Sequence, residues 1–157
     1  MKKDIKIRKA KEIDIEDIER IHKSCIQKTN AKIYDQKVIG EWIEPINFQN
    51  IKKQFESTKW FVLEKDNKIV GFAQIALDDD SIYQINIDTE YQKQGLGVLL
   101  YKFLEKEFKK NNTEKINLNS TLNAIDFYKQ LGFKEIKPIK LKLKTQEVKM
   151  VKMEKLL

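Results

Sequence analysis

Residues 83–107 read YQINIDTEYQKQGLGVLLYKFLEKE, and this stretch decides the fold. Its beginning belongs to a β-branched and aromatic run that predicts a strand over residues 81–87. Its end carries apolar residues at helical spacing, which predicts a helix over residues 95–110. The segment QKQGLG, residues 92–97, joins the two elements. Such a turn directs backbone N–H groups and the positive end of a helix at one place, so it suits a phosphate or pyrophosphate.

The glycines also have a simpler interpretation, because a Gly-x-Gly at a strand–helix junction is often only a tight turn. The segment is not a nucleoside-triphosphate loop, which would need Gly-x-x-x-x-Gly-Lys-Ser/Thr. Nor is it a dinucleotide-binding loop, since that pattern needs a third glycine where this chain has Leu100. The pattern that remains is Gln/Arg-x-x-Gly-x-Gly/Ala, which starts here at Gln92.

Length and composition indicate one domain over residues 1–157, with 41% hydrophobic side chains to build its core. The single cysteine, Cys25, allows no disulfide within the chain and no cysteine cluster for zinc, so we predict no metal. No apolar run reaches the length of a membrane span, and no signal-peptide pattern follows the initial MKKD. We therefore expect a cytoplasmic protein with no membrane partner.

The net charge of +7 raises the question of nucleic-acid binding. Eight lysines and three glutamates lie in residues 134–157, so this segment carries +5 of the total. Its lysines alternate with apolar residues, as in IKLKLK at residues 139–144, which is typical of a strand with one solvated face. Basic residues alone are only an electrostatic footprint. We therefore predict no nucleic-acid partner.

The chain opens with an alternating strand at residues 5–8, and Asp14 suits the N-cap of the helix that follows. The apolar face of that helix comprises Ile15, Ile18, Ile21, Cys25 and Ile26. His22, the only histidine, falls on the same face. A lone histidine on an apolar helix face is more often packed than catalytic, so we interpret His22 as a core side chain.

The region between Cys25 and Lys59 has the least regular pattern. Short helices are predicted at residues 34–42 and 47–57. The aromatic side chains in this region make it a candidate wall for an acceptor substrate. The alternative, a helical cap that buries these aromatics in the core, agrees equally well with the pattern.

Further along the chain, strands are predicted at residues 60–63, 68–77 and 81–87, with turns at 66–67 and 78–80. After the long helix come a strand at 116–118, a helix at 123–131 with Gly132 as its C-cap, and a closing hairpin at 133–144 and 146–155. The helix between strands 81–87 and 116–118 makes them parallel neighbours. A turn explains the acidic run at 78–80 more simply than a metal does.

The order of elements, the QKQGLG loop and the later segment AIDFYKQLGF at residues 124–133 together resemble the GNAT superfamily of N-acetyltransferases. The resemblance covers essentially the whole chain and is most specific between Ile82 and Phe133. The chain looks most similar to small bacterial acetyltransferases of that superfamily. The resemblance implies an α/β (α+β) fold: a mixed, mainly antiparallel central sheet flanked by helices, with parallel strands that splay apart after the third strand of the meander.

The resemblance implies acetyl-CoA as a cosubstrate and assigns residues to it. The loop amides hold the pyrophosphate in that family, and the matching residues here are Gln92, Lys93, Gln94, Gly95, Leu96, Gly97 and Val98. The backbone of Ile85 and Ile87 would bond the pantetheine arm and the acetyl carbonyl, with Asn86 facing the other way. Many members have Asn where this chain has Thr121, so that contact is kept, weakened or moved to Asn119.

By the same resemblance, Tyr128 matches the family tyrosine that lies near the CoA sulfur. A phenol has a pKa of about 10, above that of a thiol, so it still carries a proton that it can donate to a leaving thiolate. The alternative is that Tyr128 only packs under the loop. The implied mechanism is direct attack of a neutral primary amine on the thioester in a ternary complex, with the oxyanion held by backbone N–H at the level of Ile85.

The sequence does not identify the base that removes the amine proton. Tyr83, Gln84, Glu41 and Tyr34 are candidates only for positioning water. Tyr34, Trp42 and Tyr83 are also the candidate acceptor-binding residues, and the acceptor could be a small-molecule or a peptide amine. The second function considered is a non-catalytic CoA-binding or regulatory module on the same fold. The alternating final strands could pair with a second subunit to form a homodimer.

Overall fold

The computed structural model describes residues 4–157, which form an α/β structure around one seven-stranded sheet. The strands are β1 (Ile5–Lys9), β2 (Lys59–Lys65), β3 (Lys68–Ala76), β4 (Ser81–Ile87), β5 (Lys115–Thr121), β6 (Lys134–Lys142) and β7 (Glu147–Leu156). The helices are α1 (Ile15–Lys28), α2 (Gln36–Ile43), α3 (Phe48–Gln54), α4 (Leu96–Lys110) and α5 (Ile125–Gln130). None of the helices in this part of the chain combines the length and the apolar character needed to cross a membrane.

The strand order is β1-β2-β3-β4-β5-β7-β6. Every neighbouring pair is antiparallel except β4 and β5, which run parallel. The predicted mixed, mainly antiparallel sheet with one parallel pair is therefore confirmed. The last strand, β7, lies between β5 and β6, so the closing hairpin joins the sheet through its second strand.

Helices cover both faces of the sheet, and each face has its own hydrophobic core. On one face α4 contributes Leu100, Leu104 and Phe108, all fully buried. On the other face α1 presents Ile15 and Ile18, together with the rest of its predicted apolar face. The helical spacing of these residues is the reason that each helix buries one stripe against the sheet.

The parallel pair separates soon after it begins. Ser81 pairs with Asn117 and Ile82 with Leu118, and no further pairing follows. From that point β4 stays on β3 as far as Ile87, while β5 stays on β7. The two strands therefore diverge and leave a cleft between their carboxyl-terminal halves.

The narrow end of this cleft is fixed by the turn before β4. The backbone N–H of Asn117 donates to the carbonyl of Asp80 at 2.8 Å, and the Thr113 hydroxyl donates to the Asp80 carboxylate at 2.7 Å. Asp79 accepts a hydrogen bond from the Tyr83 hydroxyl at 2.8 Å. The acidic run at residues 78–80 thus serves the turn and its connection to β5.

Two segments differ from the sequence-based expectation. Tyr34 precedes α2, which begins at Gln36, instead of opening it. Strand β6 was expected to bury one face, but nearly all of it is exposed, including Ile136 at 49% and Leu141 at 44%. It is the edge strand beside β7, and the two cores lie under the more central strands. The alternation of apolar and charged residues in β6 therefore does not mean that one face of the strand is buried.

Asp14 occupies the predicted N-cap position of α1. Asp14 stands directly before α1, but its side chain makes no cap bond to that helix. Its carboxylate instead accepts from the Lys11 N–H at 2.7 Å and from both Nη atoms of Arg8, at 2.7 and 3.0 Å. The Arg8 bonds lower the pKa of the Asp14 carboxyl, although burial acts in the opposite direction. This pair joins β1 to the start of α1.

Replacing Asp14 by Asn should lower the free energy of unfolding by about 1–3 kcal/mol, because Arg8 would lose its charged partner at Asp14 and keep only the longer contact with Glu64 at 3.3 Å and the bond to the Lys9 carbonyl. Urea denaturation at pH 7 measures the loss. Since the folded pKa of Asp14 is lowered, its stabilisation is complete above the unfolded value of about 3.9 and is lost as the pH falls below it.

The matched control is Glu16→Gln, which removes the same charge from an exposed position of α1. It should change stability by less than about 0.5 kcal/mol. Equal losses in the two variants at pH 7 would contradict the role assigned to the Arg8–Asp14 pair.

Candidate functional site

A cavity of about 760 Å³ lies at the cleft between β4 and β5 and reaches both faces of the sheet. Its lining includes the loop before α4 and the aromatic side chains of α5 on one face. On the other face it includes His22, Cys25 and Trp42 from α1 and α2. The cavity therefore connects the Gly-rich loop to the region that the sequence predicts as an acceptor wall.

The two glycines of the loop serve different purposes. Gly95 has φ +80° and stands at the N-cap of α4, a conformation that side chains with a Cβ rarely adopt. A Cβ on Gly95 would meet nothing within 4 Å, so the space above the loop is open. A Cβ on Gly97 would come within 3.1 Å of the Phe127 ring. Gly97 therefore permits the close packing of α4 against α5.

The first turn of α4 has free amide donors. The first intrahelical hydrogen bond runs from Leu99 N–H to the Gly95 carbonyl at 3.1 Å. Within residues 4–157, no backbone acceptor outside the helix bonds the amides of residues 96–98, as expected for a helix N-terminus. Lys93, with φ +62°, also lines the cavity. These donors and the helix dipole fit a phosphate group.

The end of β4 is held in place by α1 and by the loop. The carbonyl oxygen of Ile87 accepts from Gln92 Nε2 at 3.0 Å and from Cys25 Sγ at 3.2 Å. Arg20 of α1 pairs with Asp88 at 3.1 Å. Burial raises the pKa of Cys25 to about 12, so the thiol stays protonated and acts as a donor. These contacts fix the loop relative to the cleft.

Backbone groups line both sides of the cleft. The bond from Asp88 N–H to the Val70 carbonyl sets the alternation of β4, in which Ile85 and Ile87 turn their backbone polar groups away from β3. The bond from Asn117 N–H to Asp80 sets that of β5, in which residues 119 and 121 face β4. Buried peptide groups need partners, so the cleft is shaped to receive an extended chain that carries its own amides.

Tyr128 lies at the α5 side of the cleft, with only 7% of its surface exposed. Its ring contacts Phe127 and Phe133 edge-on, at centroid distances of 5.1 and 5.7 Å. Burial raises the pKa of the phenol above its ordinary value. Its hydroxyl has no hydrogen-bond partner among residues 4–157, while the residue lines the cavity. This phenol is therefore a protonated donor without an acceptor.

The candidate acceptor residues separate into two groups. Trp42 and Tyr83 line the cavity. Tyr34 does not, and its hydroxyl is engaged: it donates to the Lys149 carbonyl and accepts from the Leu122 N–H. Glu41 binds the turn between β6 and β7 through Thr145. Tyr34 and Glu41 thus connect α2 and the segment before it to other elements.

His22 packs edge-on against Phe72 at a centroid distance of 5.7 Å and also lines the cavity. Burial lowers the pKa of His22 to about 4, so the imidazole is neutral near pH 7. Gln84 and Asn86 line the same wall from β4. Sequence reasoning missed His22 as a cavity residue, since an apolar helix face does not reveal which of its members borders a cleft.

Most of the residues that the resemblance assigned to acetyl-CoA lie around this one cavity. They are Ile85, Ile87, Gln92, Lys93, Gly95, Leu96, Gly97, Val98, Thr121 and Tyr128. Gln94 is not among the lining residues, and its side chain accepts from Lys65 Nζ at 2.7 Å. Asn119 and Thr121 both line the cavity, so the two remain alternatives for the same contact.

Residues 29–157 match the family described as the acetyltransferase (GNAT) domain. The chain belongs to this family. The match includes both the Gly-rich loop and Tyr128, and it begins just after α1.

A curated relative of this GNAT chain is the [ribosomal protein bS18]-alanine N-acetyltransferase of Escherichia coli K12. It is 36% identical over 80 residues, which cover 48% of this chain and 54% of that protein. The chain thus spans about half the length of the curated relatives that it matches. This similarity agrees with the family assignment and does not identify the acceptor of this chain.

Solved structures share the whole fold. A GCN5-related N-acetyltransferase from Rhodopseudomonas palustris has a TM-score of 0.93 at 17% identity, covering 100% of this chain and 99% of that one. The PaiA N-acetyltransferase of Thermoplasma acidophilum, in complex with coenzyme A, has a TM-score of 0.80 at 22% identity, covering 98% and 99%. At these identities the likeness establishes a common GNAT architecture.

In this GNAT chain, replacing His22 by Gln should remove a pH-dependent loss of stability. The folded pKa of His22 is lowered to about 4, so protons favour the unfolded state as the pH falls from about 6.5 to about 4. The stabilisation of the neutral form is complete above pH 6.5, and its loss should amount to about 1–3 kcal/mol. Urea denaturation at pH 7 and pH 4.5 measures it for both proteins. The same pH dependence in both would show that His22 does not titrate in this way.

Proposed function

We propose that this chain is an acetyl-CoA-dependent N-acetyltransferase that transfers acetyl to a primary amine by direct attack. One observation carries the proposal. A single cavity joins the free amides at the start of α4, the cleft between β4 and β5 and the unpartnered hydroxyl of Tyr128. A pyrophosphate, an amide-containing arm and a thioester follow one another in the same order along acetyl-CoA.

The proposed cofactor contacts follow from that order. The amides of residues 96–98 and the side chain of Lys93 would hold the pyrophosphate. The arm would lie in the cleft as an added strand, exchanging hydrogen bonds with the backbone at Ile85. At Ile87 the carbonyl already accepts from Gln92 and Cys25, so the arm would use its N–H or displace Gln92.

The proposed reaction forms a C–N bond and breaks a C–S bond. The nitrogen lone pair of the neutral amine attacks the thioester carbonyl, and the oxyanion accepts hydrogen bonds from backbone N–H near Ile85. As the C–S bond breaks, the thiolate receives a hydrogen bond and then a proton from Tyr128, and Tyr128 regains a proton from solvent, which takes up the proton that the amine releases. Burial raises the pKa of Tyr128, which keeps the phenol protonated until negative charge develops on sulfur.

The lining of the cavity contains no aspartate or glutamate among residues 4–157. The amine therefore has no carboxylate beside it to take its proton, and it should react from its free-base form, releasing the proton to solvent after attack. His22, with a pKa of about 4, is a weak base in this wall.

The first test is the melting temperature of the protein with acetyl-CoA, with CoA and with NADH. Ligand at a hundredfold excess over its dissociation constant should stabilise the folded state by about 2.7 kcal/mol. Acetyl-CoA and CoA should raise the melting temperature, while NADH should not, because it lacks the pantetheine arm. If millimolar acetyl-CoA leaves the melting temperature unchanged, the loop is only a turn and the proposal fails.

Replacing Tyr128 by Phe should lower kcat by about 10²–10⁴-fold, because the leaving thiolate loses its proton donor. The rise in melting temperature with CoA should persist, since the ring and its contacts with Phe127 and Phe133 remain. Release of the CoA thiol with a panel of primary amines measures the rate. Unchanged turnover would remove Tyr128 from the mechanism. Binding without turnover in the wild-type protein would favour a CoA-binding module.

A further inference from the structure

A chain of side-chain hydrogen bonds crosses the α1 face of the sheet and ends at the cavity. Asn86 Nδ2 donates to Gln84 Oε1 at 2.8 Å, and Gln84 Nε2 donates to Gln74 Oε1 at 2.8 Å. Gln74 Nε2 in turn donates to Thr58 Oγ1 at 3.1 Å and to Gln54 Oε1 at 3.0 Å. The chain thus extends from β4 across β3 to the segment between α3 and β2.

The donor-to-acceptor direction of this hydrogen-bond chain is fixed at Thr58. An amide oxygen and nitrogen can be exchanged in a structure, so an unambiguous group must set the order. The Thr58 hydroxyl uses its one hydrogen on the Gln54 carbonyl at 2.7 Å. The Trp60 indole, which can only donate, bonds the same hydroxyl at 3.0 Å. Thr58 can therefore only accept from Gln74.

The acceptor role of Thr58 fixes the orientation of each amide in the hydrogen-bond chain in turn. Gln74, only 3% exposed, must present its NH₂ to Thr58, and its oxygen then faces Gln84. Gln84 must donate to that oxygen and accept from Asn86. Asn86 therefore uses its NH₂ toward Gln84, and its Oδ1 has no hydrogen-bond partner among residues 4–157. Asn86 is one of the residues that line the cavity, so an acceptor oxygen without a protein partner belongs to this wall.

We propose that Asn86 binds the attacking amine by accepting its N–H at Oδ1, and that Gln74 is the positioning residue that keeps this oxygen toward the cavity. The inference deepens the proposed function and rests on it. Asn86 lies between Ile85 and Ile87 in β4, and its side chain leaves the sheet on the opposite face from theirs. An amine entering from the α1 side can donate to Asn86 while its lone pair faces the thioester.

The chemistry of the surrounding wall restricts the amine. An amide oxygen accepts from a neutral amine and stabilises its ammonium form much less than a negatively charged carboxylate would. The charged or titratable side chains that line the cavity include Lys93 and His22 but no carboxylate, within the part of the chain that the structure describes. Trp42, Leu141 and Met150 supply apolar contact. The favoured acceptor is therefore a monoamine with an apolar body, not a polyamine.

The test compares Asn86→Ala and Gln74→Met with the wild-type protein, using 2-phenylethylamine as the monoamine and spermidine as the polyamine. Asn86→Ala should lower kcat/KM for 2-phenylethylamine by about 10–100-fold, mainly through KM, because one oriented hydrogen bond is lost. Gln74→Met should lower it about 5–20-fold in the same way, because Gln84 and Asn86 are then free to turn. The wild-type protein should prefer 2-phenylethylamine by at least about tenfold.

The matched controls are Gln49→Ala on α3 and Gln27→Met on α1, both at exposed positions outside the cavity lining. These variants should keep the kinetics of the wild-type protein. CoA should raise the melting temperature equally in all five proteins, which separates acceptor binding from folding and from cofactor binding.

Three outcomes overturn the inference while leaving the proposed function in place, provided that CoA still stabilises the protein. They are unchanged KM values in Asn86→Ala and Gln74→Met, a preference of the wild-type protein for spermidine, and CoA binding with no thiol release from 2-phenylethylamine. A loss in Gln74→Met without a loss in Asn86→Ala would also overturn it, since Gln74 would then act through the fold alone. Failure of CoA to stabilise any of the proteins would instead reject the proposed function.

Discussion

The separation of β4 from β5 is the constraint on which the site depends. The two strands are pinned at one end by Asp80, which bonds both Asn117 and Thr113. Beyond that point each strand is satisfied on its other edge, β4 by β3 and β5 by β7. Each strand follows its own neighbour, so the facing edges of β4 and β5 move apart beyond Ile82 and Leu118. The cleft between these edges therefore leaves peptide groups of both strands without a partner in the sheet.

The position of the loop before α4 depends on where β4 ends beside the cleft. Because Ile87 ends β4 at the edge of the cleft, its carbonyl can receive Gln92 from the loop and Cys25 from α1. The positive φ of Gly95 then turns the chain into α4, and the missing Cβ of Gly97 lets α5 approach through Phe127. The proposed phosphate-binding end and the tyrosine-bearing helix are therefore coupled through one short segment.

Local patterns carried most of the fold. The spacing of apolar residues gave the helix faces and the meander, and the loop with the segment at residues 124–133 gave the family. Such local patterns do not predict which residues distant in sequence form hydrogen bonds with each other. Asp14 stands at the predicted N-cap of α1, but its carboxylate accepts from Arg8 and Lys11 and not from the amides of the helix. The alternating sequence of β6 belongs to an exposed edge strand. Tyr34 looked like a site aromatic, yet its hydroxyl joins backbone groups of residues 122 and 149.

The amide chain that ends at Asn86 shows why such a site cannot be read from neighbouring residues. Its members come from α3, β3 and β4 and from the segment before β2. Their orientation is set by the Thr58 hydroxyl, which donates to the Gln54 carbonyl and accepts from the Trp60 indole. A carboxylate in the same wall would supply a stronger acceptor, but burial would raise its pKa and its charge would retain the amine as ammonium. A chain of hydrogen-bonded neutral amides avoids both effects, because it orients the Asn86 oxygen without placing a charge in the wall. Under the proposed mechanism, a wall of this kind favours an acceptor that arrives unprotonated and carries no second positive group.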